Sequence, residues 1–159
     1  MPGLTWQTSD DAGNLAGINQ WLDDAGLANT PPPFALQAAA EPAPHFIPEL
    51  PARLQPFDAV FTANTLHIMG WPEVQALFAS LPGILAQDAL VIVYGPFNEA
   101  GHFSSESNRE FDQNLKSRDP RSGIRDIEAV DALVEAVGML RIDDVPMPAN
   151  NRMVVWRCR

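Results

Sequence analysis

Two apolar runs with a helical stripe between them constrain this chain more than any other feature. Phe57-Asp58-Ala59-Val60-Phe61-Thr62-Ala63 and Ala89-Leu90-Val91-Ile92-Val93-Tyr94 are short, apolar and bounded by turn residues. Such runs predict strands buried on both faces of a parallel sheet. Between them Val74, Leu77, Phe78, Leu81, Ile84 and Leu85 recur at a helical period. Pro72 suits the first turn of that helix, and Pro82-Gly83 predict a break near residue 80. Strand, helix, strand in that order is a crossover unit, so the chain is read as an α/β layer.

The flanks extend the pattern. Leu4-Thr5-Trp6-Gln7-Thr8 predicts a short strand, with Ser9, Asp10 and Asp11 opening a helix that carries Leu15, Ile18 and Leu22 and stops at Gly26. Residues 31–56 hold eight of the 15 prolines and leave room for one short strand, Phe34-Ala35-Leu36-Gln37-Ala38. Apolar residues persist there (Phe46, Ile47, Leu50, Leu54), so it reads as a surface excursion within one domain spanning 1–159. Ser107 and Glu110 have capping-box spacing before Phe111 and Leu115. Ile127, Val130, Leu133, Val134 and Val137 predict a last helix ending at Gly138. Strands near 139–146 and 152–158 then flank Pro148-Ala149-Asn150-Asn151 as an antiparallel hairpin.

Ten Lys+Arg against twenty Asp+Glu give a net charge of −10, which repels phosphate backbones and anionic lipid. No nucleic-acid or membrane partner is expected. There is neither a run of ~18 apolar residues nor a signal-peptide pattern, which points to a cytoplasmic protein. Cys158 is the only cysteine, and His45, His67 and His102 lack metal-ligand spacing, so neither disulfides nor a metal site is expected.

In an open parallel sheet, ligands bind beyond the carboxyl ends of the strands. Asp10 stands at such an end, where a carboxylate can accept from both hydroxyls of a ribose or can simply cap the next helix. Gln37-Ala38 and Asn64-Thr65-Leu66-His67 end two further strands. Asn64 offers both donors and an acceptor, and His67 can act as a general base; equally, turns use Asn and Thr for their own hydrogen bonds, and a lone His is often structural. Trp71 and Phe97 can stack on a flat ligand or pack the core. Arg118, Arg121 and Arg125 can clamp an anion or pair with Asp119, Asp126 and Glu128. No Gly-x-Gly-x-x-Gly loop follows any strand, which argues against a nicotinamide dehydrogenase.

Longer motifs carry a resemblance. Trp6-Gln7-Thr8-Ser9-Asp10, Phe61-Thr62-Ala63-Asn64-Thr65-Leu66-His67-Ile68, Tyr94-Gly95-Pro96-Phe97, Ser105-Glu106-Ser107-Asn108, Arg118-Asp119-Pro120-Arg121-Ser122-Gly123-Ile124-Arg125-Asp126 and Met147-Pro148-Ala149-Asn150-Asn151 resemble the methyltransferase-like 26 family. The match runs from Leu4 nearly to Arg159. It implies a Rossmann-like class I fold that uses S-adenosylmethionine, with strand order 3-2-1-4-5-7-6 and a C-terminal antiparallel hairpin. On that map Met1–Thr8 is strand 2. Asp10, Gln37, Ala38 and Asn64 hold the cofactor, Gln37 standing where the family usually has Asp. Asn64, Thr65 and His67 line the transfer site, and Tyr94, Phe97, Asn98, Asn108 and Arg125 face the acceptor.

Family members carry further residues upstream, including strand 1 and its Gly-x-Gly loop, so the resemblance implies an N-terminally truncated chain, inactive alone. The expected function is methyl transfer to an unidentified small-molecule or protein acceptor, with an oligomer possible. The other reading is a non-catalytic binding module that keeps the methyltransferase fold.

Overall fold

A computed structural model describes residues 3–159. Met1 and Pro2, part of the expected first strand, lie outside the described residues. The order is β1 (Ser9–Asp10), α1 (Leu15–Ala25), β2 (Phe34–Ala35), β3 (Gln37–Ala39), β4 (His45–Ile47), β5 (Phe57–Ala63), α2 (Trp71–Ser80), β6 (Leu85–Gly95), β7 (Phe97–Asn98), α3 (Glu106–Arg118), β8 (Arg125–Asp126), α4 (Ile127–Ala136), β9 (Met139–Met147) and β10 (Asn151–Cys158). Among these, no helix is long and apolar enough to cross a membrane.

The main sheet runs β5-β6-β10-β9, with β5 parallel to β6 and β10 antiparallel to both its neighbours. This is the 4-5-7-6 half of the expected order. β1 and β2 pair in parallel as a separate two-stranded piece, matching its 3-2 half. Nothing among the described residues pairs with the outer edge of β5. The lead-in to β1 nevertheless stands beside it, with the Trp6 and Phe61 ring centroids 6.1 Å apart.

One face of the main sheet carries the core. Register places Val60 beside Val91, Val91 opposite Trp156, and Val93 opposite Val154, and α2 and α4 cover this side with Val74, Phe78, Ile127, Val130 and Val134. Trp156 is fully buried, edge-on to Phe78 of α2 at 6.1 Å, and its Nε1 donates to Asp131 Oδ1 of α4 at 2.8 Å. The opposite face, with Phe61, Ile92 and Val155 side by side, stays half open.

Five local expectations are corrected. β5 is not buried on both faces: Phe61 is 43% exposed, because no helix covers its outer side. Pairing near the N-terminus falls on Ser9–Asp10 rather than Leu4–Thr8, and the expected strand 34–38 divides at Leu36 between two different partners. A second strand, β4, makes a hairpin with β3 inside the proline-rich excursion. Ser105, not Ser107, caps α3, its hydroxyl accepting from Asn108 N at 3.1 Å. The Gly26 stop agrees with the sequence: it adopts the left-handed conformation at φ 56° and donates to Leu22 O.

Candidate functional site

β5 and β6 end side by side, and Asn64 N donates to Tyr94 O across that end at 2.8 Å. Asn64 turns the chain with φ 57°, a conformation that asparagine tolerates better than most residues. Thr65 then closes a turn: its hydroxyl accepts from Thr62 Oγ1, and its carbonyl receives Ile68 N and Met69 N. The turn carries His67 inward. His67 is 6% exposed, and Phe111 of α3 packs against its ring at 5.2 Å with the planes 74° apart.

A cavity of about 460 Å³ opens here, lined by Asn64, His67 and Pro96 on the sheet side and by Ser107, Asn108 and Phe111 of α3. Ala149, from the β9–β10 connection, and Asn151, the first residue of β10, close its rim. Asn108 Nδ2 donates to Asn150 O at 3.1 Å and Asn150 Nδ2 donates to Ser107 Oγ at 3.2 Å, so the connection is latched to the start of α3. Ala149 and Asn150 both have positive φ, 58° and 57°. A left-handed alanine costs of order 1 kcal/mol and is kept only where surrounding contacts impose it. A Cβ at Gly95 would make only ordinary contacts beside this pair, 3.8 Å from His67 Nδ1 and 3.9 Å from Asn64 Oδ1.

No lining side chain is an acid, a lysine or an arginine. Burial, reinforced by the positive charge of Arg125, holds the His67 imidazole below its ordinary pKa. Its neutral form is therefore the native one. Neither ring nitrogen is hydrogen-bonded among the described residues, which leaves a lone pair free to take a proton. The unfolded chain binds a proton at the ordinary imidazole value, about 6.5, while the folded chain resists it. Stability is therefore expected to fall as pH drops from about 7.5 to about 5.5, more steeply in the parent than in His67→Gln. Urea midpoints at the two pH values check this; equal slopes would contradict it.

A second polar group gathers at the end of β1. Asp10 Oδ1 accepts from Asp11 N at 2.6 Å and from Asn14 Nδ2 at 2.9 Å, with Oδ2 unpaired among the described residues. The cap of the following turn is Asp11, whose Oδ1 accepts from Gly13 N at 3.0 Å, so Asp10 is not itself the cap. Gln37 Nε2 donates to Asp11 Oδ2 at 2.5 Å, bringing the β3 end alongside. Asp11 is held below the usual carboxylate range by the Gly13 amide first and Gln37 second. Ala38, the next residue, lies half-buried in β3.

The remaining candidates separate. Thr65 turns its hydroxyl toward its own backbone, with a bond to Ala63 O at 3.2 Å. Tyr94 is half-buried on the open sheet face. Phe97 is corrected: at 2% exposed it belongs to the core, and the aromatic wall of the cavity is Phe111. Asn98 is buried, with Nδ2 donating to Ile124 O at 3.4 Å. Arg125 does not line the cavity, and its guanidinium binds backbone carbonyls and lies 5.8 Å over the Trp71 ring. Arg121 pairs with Asp119, one of the partners the ion-pairing alternative named, and with Glu73, which it did not name. Phe111 and Asn151 were not singled out as ligand contacts. For Phe111 the signal is its place one turn after Asn108; for Asn151 it is the Asn-Asn pair closing a hairpin.

The family described as "Protein of unknown function (DUF938)" matches residues 1–158. Among solved structures, an O-methyltransferase family 2 protein from Planctomyces limnophilus in complex with apigenin superposes with a TM-score of 0.77 at 13% identity, covering 99% of this chain and 44% of the other. An O-methyltransferase family protein from Burkholderia thailandensis gives 0.76 at 12% identity, with 99% and 44% covered. The mitomycin 7-O-methyltransferase MmcR gives 0.77 at 18% identity, with 100% and 43% covered. At these identities the likeness establishes the fold, that of a class I methyltransferase. The chain spans less than half the length of each.

Proposed function

We propose that this chain, which belongs to the family described as "Protein of unknown function (DUF938)", is the acceptor-side part of an S-adenosylmethionine-dependent methyltransferase of the methyltransferase-like 26 type. The observation that carries the reading is the cavity without acidic, lysine or arginine side chains at the joint ends of β5 and β6, with the buried His67 imidazole in its wall. An uncharged acceptor, small molecule or protein side chain, suits a lining of amides, a hydroxyl, an imidazole and a phenyl ring.

Residues present fit the adenosine half of the cofactor. Asp10 has a free carboxylate oxygen for a ribose hydroxyl, Gln37 keeps its carbonyl oxygen as an acceptor for the adenine amino group, and Asn64 lines the cavity. No glycine-rich loop for the methionine half follows a strand among the described residues. The unpaired edge of β5, beside a separate β1–β2 pair, supports a further parallel strand carrying that loop.

When bound, S-adenosylmethionine supplies an electrophilic sulfonium methyl. The work of this chain is to hold the acceptor in line and to receive its proton. Asn64, and Asn108 through its Oδ1, would orient the acceptor hydroxyl by hydrogen bonds, Phe111 would exclude water from one side, and the His67 ring would take the proton that the hydroxyl gives up.

Calorimetric titration tests the reading. The 159-residue chain is expected to bind S-adenosylmethionine weakly, and a form extended by a glycine-loop segment to bind it at micromolar affinity, about −8 kcal/mol. Micromolar binding by the short chain would overturn the assignment of the main cofactor loop to a further segment. Absence of binding in the extended form would overturn the enzyme and leave a binding module.

A further inference from the structure

The turn that carries His67 does not hold itself in place. Its N–H side is closed internally through Thr65, but its four consecutive carbonyls, Leu66 to Met69, are all taken by one segment more than fifty residues away. Arg125 Nε donates to Leu66 O at 3.1 Å, Gly123 N to His67 O at 2.9 Å and Ser122 Oγ to Ile68 O at 3.1 Å. Arg125 Nη2 completes the set on Met69 O and also ties to Arg121 O at 3.0 Å. One guanidinium thus spans both ends of the turn, which a lysine ammonium has no fork to do.

The segment is itself braced from α3. Asp112, 3% exposed, accepts from Ile124 N at 2.8 Å through Oδ1 and meets Lys116 at 2.6 Å through Oδ2. Gly123 makes the approach possible. Its φ is +154°, and a Cβ would come within 2.9 Å of Lys116 Cε and 3.0 Å of Asp112 Oδ1. The residue before Asp112 is Phe111, which packs on the His67 ring. Helix α3 therefore reaches His67 twice, by its ring and, through the 122–125 segment, by its backbone.

We propose that Arg125 and Asp112 are positioning residues: with Ser122 and Gly123 they buckle α3 to the His67 turn and set where the imidazole stands in the cavity. This rests on the reading of His67 as the proton acceptor, but its test does not require turnover. His45, His67 and His102 are the only histidines, so ring signals from histidine-labelled protein resolve one reporter in the buckle and two outside it. Arg125→Lys retains the charge beside His67 and removes the fork. The His67 ring signal is expected to shift and broaden while those of His45 and His102 hold. Ser122→Ala removes one of the four carbonyl bonds and is expected to move His67 alone, by less.

An unmoved His67 in both variants would overturn the proposal, as would equal movement of all three signals in Ser122→Ala, which would make the contacts general to the fold. If Arg125→Lys fails to fold, Ser122→Ala decides by the same two criteria. Failure of the methyltransferase reading would register separately, as absent cofactor binding with the histidine result intact.

Discussion

Trp156→Ala is expected to lower the free energy of unfolding by roughly 3–5 kcal/mol, the range for emptying a buried aromatic site. The indole is wholly buried and joins three elements, standing on β10, edge-on to Phe78 of α2 and bonded to Asp131 of α4. Alanine removes the packing and the donor together. Trp156→Phe keeps part of the apolar area but loses the Nε1 bond and leaves a small void, so about 1–3 kcal/mol is expected from it. A domain of this size has on the order of 5–15 kcal/mol in total, so the alanine change takes a large share. Urea midpoints measure both, and a loss below about 1 kcal/mol for alanine would mean the three elements do not depend on this contact.

On the proposed methyltransferase reading, and in the form extended by the glycine-loop segment, His67→Gln is expected to cut methyl-transfer turnover by about 100-fold or more, with little change in acceptor KM. Glutamine approximates the bulk and hydrogen-bonding reach of the imidazole and cannot take a proton. In the parent, turnover should fall on acidification through the folded pKa of His67, which burial and Arg125 place below the ordinary imidazole value. That acid limb should vanish from the residual rate of the variant. Single-turnover rates across pH separate the outcomes. Undiminished turnover in His67→Gln would assign the proton to water.

The legible parts of the fold were those whose signal is local and repeated. The runs at 57–63 and 89–94, the stripe from Val74 to its break near residue 80 and the hairpin after Gly138 are each specified by patterns within a few residues, whereas Leu85, at helical spacing in that stripe, opens β6 instead. What escaped depends on neighbours. Whether β5 is covered on both sides is decided by helices elsewhere, and its own residues are as apolar as a covered strand needs. Ser105 and Ser107 are equally good caps by type, and the direction of the incoming chain chooses between them.

The site divides in the same way. Asn64 and His67 follow from their place after a strand. Phe97 and Phe111 exchange roles because one packs into the helix-covered core and the other lines the cavity. Arg125 has the chemistry of an anion clamp, and only the three-dimensional arrangement shows its fork filled by main-chain carbonyls.

The half-open face bearing Phe61, Ile92 and Val155 has a colloidal consequence. Laying such faces together would bury apolar surface, and the charge of −10 on each copy opposes that approach. Near 0.1 M salt that repulsion reaches only about 10 Å, so added electrolyte favours self-association instead of weakening it.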